Sequence, residues 1–375
     1  TSGNPNFAGA VMANNVSTTG DRFYTLAEMS SGSYNYGFVS TNEVSAGLWS
    51  NPEVGEANAT TRVTVDLSGS GSGQAMGLRS SYWYYPRKIK GERGQKDDSI
   101  NQQDANGYYL VDPVEMPHAA VAIADGDVNG SGSVDWQDGA IEFRKVMNEL
   151  QGGEETPDVV AWRIVMSLGV HAQNPFLMTL DNVKRIAMHT DGLGQSVLLK
   201  GYGNEGHDSG HPDYADIGRR IGGAEDMKYL LEKGGEYGAK FGIHINAGEM
   251  YPEAKAFDDD LVRRTGSTTT SGLRYGWNWI DQGIGIDSRF DHGSGRRLSR
   301  LEALHEELGC DAADKLSFIY LDIWGNTTGS AEDGWDTRNV INEINKQGWK
   351  FGTEFGGIGE GYSTFQHWST DLSYG

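Results

Sequence analysis

Two stretches decide the fold: Phe318-Ile319-Tyr320-Leu321-Asp322-Ile323-Trp324-Gly325-Asn326 and Phe351-Gly352-Thr353-Glu354-Phe355-Gly356. Each is an apolar run of strand length, the kind a parallel sheet buries on both faces. Each also carries one acid near its end, and a carboxylate there is costly unless it has a partner or a task. Between them Thr337, Ile341 and Ile344 recur at helical spacing before Gly348, so the two acids stand one strand-helix-strand step apart. One reading makes them a catalytic pair. In glycoside hydrolysis an ionised carboxylate attacks the anomeric carbon, and a second carboxyl in an apolar setting protonates the leaving oxygen. The plainer reading is that each acid caps a helix or closes a structural salt bridge.

Working outward, further apolar runs at 196–200 and 240–246 alternate with helical patterns at Met227/Leu230/Leu231 and at Leu301/Leu304/Leu308, the latter closed by Gly309. Alternating strands and helices imply parallel strands with crossover helices. Chemically capable residues sit at the ends of several strands: Asn204 to Asp208, then His244 with Asn246, then Asp322, then Glu354. That distribution favours a barrel over a doubly wound sheet, and no phosphate-binding glycine fingerprint leads from strand into helix. The expected fold class is α/β, with a (β/α)8-type barrel over residues 116–375. Residues 1–115 differ: they are rich in Ser, Thr, Gly and Asn, and Thr61 to Leu67 alternate apolar and polar with period two. They read as a β-sandwich-like module, in which the Ser-Gly run over 68–73 is a hairpin loop before strand-like aromatics at Tyr82 to Tyr85. Pro113 and Pro117 bracket the junction.

Composition narrows the partners. With 52 acidic against 31 basic residues the formal charge is -21, a field that repels nucleic acid and anionic membranes. No apolar run approaches the roughly 20 residues of a membrane span. Cys310 is the sole cysteine, which excludes an intrachain disulfide and a zinc-thiolate site. The chain opens at Thr1-Ser2-Gly3 without a basic and apolar leader, and reads as a piece of something longer.

Three further motifs surround the acid pair. Tyr275-Gly276-Trp277-Asn278-Trp279 spaces two tryptophans by two, and Trp324 follows Asp322; sugar rings stack on such aromatics, while ordinary strand cores use them too. Gly203-Asn204-Glu205-Gly206-His207-Asp208-Ser209-Gly210-His211 is a glycine-rich loop with two histidines, suited either to sugar hydroxyls or to a metal. His244, on an apolar strand, is equally a core histidine. Finally, Asp127, Asn129, Ser131, Ser133, Asp135 and Asp138 fall in the ligand order of an EF-hand-type calcium loop, with Gly132 at the sixth position and a helical segment following. The alternative is an Asx-rich turn without an ion. A filled site would be structural, since it lies well before the candidate catalytic strands.

From Asp135-Trp136-Gln137-Asp138 onward the chain resembles the endo-α-N-acetylgalactosaminidase family of glycoside hydrolases. The likeness rests on Gln173-Asn174-Pro175-Phe176, Gly201 to Asp208, Glu249-Met250-Tyr251-Pro252-Glu253-Ala254-Lys255, the Trp277/Trp279 segment and the strands bearing Asp322 and Glu354, all in one order. The resemblance implies a β/α barrel beside a β-sandwich module, and release of Gal-β1,3-GalNAc from Ser or Thr of O-glycoproteins with retention of configuration. It makes Asp322 the nucleophile and Glu354 the acid/base. His207, Asp208 and His244 then line the sugar site, with Asn246 and Trp324 beside them and Trp277 and Trp279 as an aromatic lid. It further implies a secreted or surface-attached protein, whose barrel here lacks its last strand or strands. Two rival readings use the same residues: a calcium-stabilised carbohydrate-binding protein without catalysis, and a metal-dependent hydrolase centred on His207, Asp208 and His211.

Overall fold

The computed structural model describes residues 7–13, 23–24, 31–52, 61–69, 75–83, 88–90, 108–110, 115–263, 275–277, 282–324, 334–354 and 359–366. It is a mixed α/β structure with a β-rich N-terminal region and a parallel sheet.

The period-two alternation near residue 61 becomes the strand Val63–Ser68, with Val63 and Val65 buried. It pairs antiparallel with Ala75–Ser80, Ser68 opposite Ala75; residues 70–74 of the intervening Ser-Gly stretch lie outside the described residues. The returning strand is Ala75–Ser80 and not the aromatic stretch after it; Tyr82 and Trp83 are irregular, and Tyr84 and Tyr85 lie outside the described residues. Gly32–Tyr34 completes this three-stranded sheet. A second, antiparallel sheet has the strand order Ala119–Asp125, Val44–Ser50, Tyr36–Thr41, Phe7–Ala13, Phe23–Tyr24. Ala10 and Met12 from that sheet share a core with Val65 and Met76 from the first. Its other face buries Tyr36, Phe38, Trp49 and Ala122 against Phe143 of the helix Trp136–Phe143. Strand Ala119–Asp125 pairs along its whole length with Val44–Ser50, although the expected junction lay at 115/116. The N-terminal β structure thus includes residues beyond that point.

The parallel sheet has six strands in chain order: Ala161–Met166, Gln195–Lys200, Ala239–Ile245, Leu316–Leu321, Lys350–Thr353 and Ser363–Gln366. Helices Phe176–His189, Gly223–Gly235, Arg296–Leu308 and Gly334–Lys346 connect them. The apolar stripes of these helices meet one face of the sheet: Leu180 and Val183, Leu230 and Leu231, Leu301, Leu304 and Leu308, and Ile341 and Ile344 join Val197, Leu199, Phe241, Ile243, Ile319 and Phe351 in a single core. Because side chains alternate along a strand, the residues between these point to the opposite face. That face holds Trp162, Leu198, Phe318 and Tyr320, the last stacked on His244 with ring centroids 5.2 Å apart. Gly242 belongs there too, and a Cβ on it would stand 2.2 Å from the Phe318 ring, so a larger residue would displace that ring. Towards the strand ends the same face turns polar.

An antiparallel insertion, Glu249–Met250 with Gln282–Gly285 and Tyr275–Trp277, follows the third parallel strand and was not anticipated from the sequence. Among the described residues no helix is long and apolar enough to cross a membrane.

Candidate active site

Lys200, His244, Asn246, Asp322 and Glu354 occupy the carboxyl-terminal ends of four successive parallel strands, on the face turned away from the helices. His244 and Asp322 are 1% and 9% exposed. Nε2 of His244 lies 3.0 Å from Oδ1 of Asp322, and the Asp322 amide donates to the Ile245 carbonyl at 2.8 Å, extending the ladder one residue past the strand. Burial alone would raise the Asp322 carboxyl. The opposing pull of His244, through charge and hydrogen bond, with Lys200 behind it, holds the group well below the ordinary carboxylate range. Asp322 is therefore an ionised, oriented carboxylate at neutral pH.

Glu354 is tied to the same strand end. Its amide donates to the Leu321 carbonyl at 3.2 Å, and its Oε2 accepts from the Ile323 amide at 2.8 Å. One residue beyond Asp322 thus hands its N–H to the second carboxylate. Ile323 does so from a left-handed conformation, φ 48°, which a β-branched residue adopts only at the cost of strain.

The loop after the second strand folds over this pair. Gly201, at φ 80°, has no room for a Cβ, which would meet the Ser167 carbonyl oxygen at 2.2 Å and the His207 nitrogen at 2.5 Å. That close passage lets the His207 amide donate to Ser167 O at 2.7 Å and docks the loop on the end of the first strand. His207 then packs edge-on against His244, ring centroids 4.9 Å apart, while its Nδ1 stands 3.2 Å from Oδ1 of Asp208. Both residues are buried, Asp208 in a left-handed conformation at φ 57°. Burial, with His244 adding to it, brings His207 down to about 2 and His211 to about 3. These two imidazoles are neutral hydrogen-bonding groups at any physiological pH. Asn246 spends its Oδ1 on the Gly248 and Glu249 amides, both at 2.9 Å, and Tyr214 donates to its backbone carbonyl at 3.2 Å. Nδ1 of His211, Nδ1 of His244 and Nδ2 of Asn246 are buried without a hydrogen-bond partner among the described residues. Such groups are costly to leave unpaired, and they are suited to sugar hydroxyls.

Not every expected residue joins this cluster. Trp324 is a correction. It is 1% exposed within the helix-side core, its indole N–H donates to Thr337 Oγ1 at 3.0 Å, and the Arg297 guanidinium stands over its ring at 5.8 Å. Left-handed Ile323 interrupts the alternation, so the residue after it turns to the core and not to the face that carries His244 and Asp322. Trp277 lies on the strand Tyr275–Trp277 of the insertion, opposite Gln282; Trp279 lies outside the described residues. Lys200, which stands in this cluster, was missed because a lysine at a strand end reads as solvated.

The Asp127 to Asp138 loop is closed on itself. Oxygens of Asp127 accept from the Ser131 and Gly132 amides at 3.0 and 2.7 Å, and Asn129 Oδ1 from Ser131 at 2.9 Å. Fully buried Asp138 accepts from Val128, Asn129 and Asp135, forming a capping box with Asp135 at the start of helix Trp136–Phe143. Those amides hold the Asp138 carboxyl below its ordinary value against the opposing effect of burial. The donors are all hard oxygens, which is the calcium preference. Among the described residues, however, no group of three or more His, Cys, Asp or Glu is drawn together as a metal would require, here or around His207 and His211.

Comparison with known proteins agrees with this layout. A family described as endo-alpha-N-acetylgalactosaminidase matches residues 137–375, and a galactose mutarotase-like fold domain matches residues 1–136. A protein of Renibacterium salmoninarum described as "Putative endo-alpha-N-acetylgalactosaminidase" is 38% identical over 262 residues, 70% of this chain but 16% of that protein. Among solved structures, the alpha-galactosidase AgaA of Geobacillus stearothermophilus in complex with stachyose superposes with a TM-score of 0.53 at 11% identity, covering 98% of this chain and 50% of the other. The alpha-N-acetylgalactosaminidase NagBb of Bifidobacterium bifidum in its GalNAc complex gives 0.51 at 13% identity, covering 96% and 59%. At such identities these two similarities speak for the fold alone. The chain spans about one sixth of the length of its curated relative and about half that of these structures.

Proposed function

Because the chain belongs to the endo-α-N-acetylgalactosaminidase family of glycoside hydrolases, we propose that its strand-end carboxylates cleave the bond between an O-glycan and its protein with retention of configuration. The observation that carries this reading is the pairing of Asp322, ionised against His244, with Glu354, held by the amide next to Asp322. In the first step an Asp322 oxygen bonds to the anomeric carbon of GalNAc. The bond to the Ser or Thr oxygen breaks, and Glu354 gives that oxygen its proton. In the second step Glu354 takes a proton from water, whose oxygen displaces Asp322 and releases the sugar. The expected product is the disaccharide Gal-β1,3-GalNAc, with neutral His207, His211 and Asn246 receiving its hydroxyls and the Trp277/Trp279 segment closing over it.

Six strands in chain order, with the stripes of the four connecting helices on one face, support the reading of this sheet as part of a (β/α)8-type barrel, in which active sites lie at the carboxyl ends of the strands. A doubly wound sheet would reverse its order and carry helices on both faces. The natural partners are O-glycosylated proteins met outside the cell. Calcium in the Asp127 to Asp138 loop would fasten helix Trp136–Phe143 to the N-terminal sheet, a structural role; calcium then raises the melting temperature and leaves turnover by the saturated and calcium-stripped folded protein alike.

Incubation with p-nitrophenyl Gal-β1,3-GalNAc-α tests the function. Nitrophenol released together with intact disaccharide is the expected outcome. Binding of the disaccharide by a folded protein that releases neither product is the outcome that replaces hydrolase by lectin.

A further inference from the structure

We propose that Thr353 is a positioning residue for Glu354, acting through the backbone of Trp324 and the left-handed turn at Ile323. This rests on Glu354 being the acid/base. The last register pair of the fourth and fifth parallel strands is Leu321 opposite Thr353, and beyond it regular pairing ends. Residues 353 and 354 continue to grip the departing strand end by three other bonds. Thr353 Oγ1 donates to the Trp324 carbonyl at 3.0 Å, Glu354 N donates to the Leu321 carbonyl, and Glu354 Oε2 accepts from Ile323 N. Thr353 is fully buried, and the Trp324 side chain is pinned separately by Thr337. The chain between Leu321 and Trp324 is therefore held at both ends while Ile323 takes a conformation unfavourable to it. That conformation is what aims the Ile323 N–H at Glu354. Removing the Thr353 hydroxyl leaves a buried carbonyl unpaired and frees the strand end to relax, which draws the amide off the carboxylate.

The consequence has a direction. An amide donor favours the ionised form of Glu354, so its loss raises the pKa of that group. Thr353→Val, which keeps shape and removes the hydroxyl, is expected to lower kcat about tenfold to a hundredfold on a Ser- or Thr-linked disaccharide glycopeptide, whose alkoxide leaving group needs the Glu354 proton, with KM unchanged, and to move the basic limb of the pH profile upward. Thr353→Ser restores both. Glu354→Gln is measured in parallel. A Thr353→Val enzyme with wild-type kcat and limb, or one whose activity falls equally at all pH values with its stability, overturns the positioning role while Glu354→Gln still abolishes turnover. A Glu354→Gln enzyme with the wild-type profile overturns both the positioning role and the acid/base assignment on which it rests.

Discussion

Asp322 and His244 form a buried pair whose chemistry follows from its setting, and Asp322→Asn is expected to reduce turnover by on the order of a thousandfold or more while the protein remains folded. Far-ultraviolet circular dichroism beside the kinetic assay separates lost chemistry from lost structure. The depressed carboxyl also fixes the pH behaviour of the pair. Its contribution to stability is complete above the ordinary carboxylate value near 4 and lost only as pH falls through the lowered one. The histidines act in the other direction. His207 and His211 resist protonation in the folded state down to about 2 and about 3, whereas the unfolded chain protonates them near 6.5. Stability therefore falls with pH through that window, by about 1 kcal/mol per histidine between pH 6.5 and 5.5. Urea unfolding at those two pH values is expected to show the loss, and His211→Asn to show about half of it. Much of this site was legible because a polar residue interrupting an apolar strand stands out, as His244, Asn246, Asp322 and Glu354 do. Trp324 was misplaced because its side follows from the φ of Ile323, which no periodicity reports.

Elements are where the glycine-rich loop and the helix stripes exert their effects. Gly201→Ala puts a methyl into the Ser167 carbonyl and the His207 amide; it is expected to lift the loop and lower kcat/KM by about 1–3 kcal/mol of transition-state stabilisation, with a smaller change in melting temperature. Leu304→Ala empties a fully buried position of the helix Arg296–Leu308 and is expected to cost about 2–5 kcal/mol in urea unfolding without a matching loss of specific activity in the folded fraction. The stripe of that helix was readable as an i, i+3, i+7 pattern closed by Gly309, and that of Gly223–Gly235 as Met227, Leu230 and Leu231 at i, i+3 and i+4. The first parallel strand, Ala161–Met166, was not, because Arg163 sits at its centre and Gln195 supplies its partner only in three dimensions. Of the insertion strands only Tyr275–Trp277 lay in a stretch with a readable period of two; Glu249–Met250 and Gln282–Gly285, at two and four residues, are too short to show one.

Across the whole molecule, the N-terminal region is joined to the helix Gly334–Lys346 and to the turn Glu360–Tyr362 before the sixth parallel strand. Arg62 lies between the rings of Tyr36 and Tyr362, 5.8 and 5.6 Å from their centroids, and Arg338 joins Glu115 while covering Tyr362 at 3.8 Å. Asn148 donates to the Gly361 carbonyl at the same seam. Such pairings between distant segments cannot be read from sequence, whereas the change of composition near residue 115 could. Arg338→Ala is expected to lower stability by about 1–3 kcal/mol in urea unfolding and leave kcat unchanged, since the carboxylate pair lies at the other side of the fourth and fifth strands. Retaining hydrolysis by that pair is tested most directly by mass spectrometry of Glu354→Gln protein quenched in acid after reaction with p-nitrophenyl Gal-β1,3-GalNAc-α. With a good leaving group the first step proceeds and the second stalls, so the expected result is a disaccharide adduct on the peptide containing Asp322. Nitrophenol release without any adduct, or an adduct on another residue, would contradict the assignment.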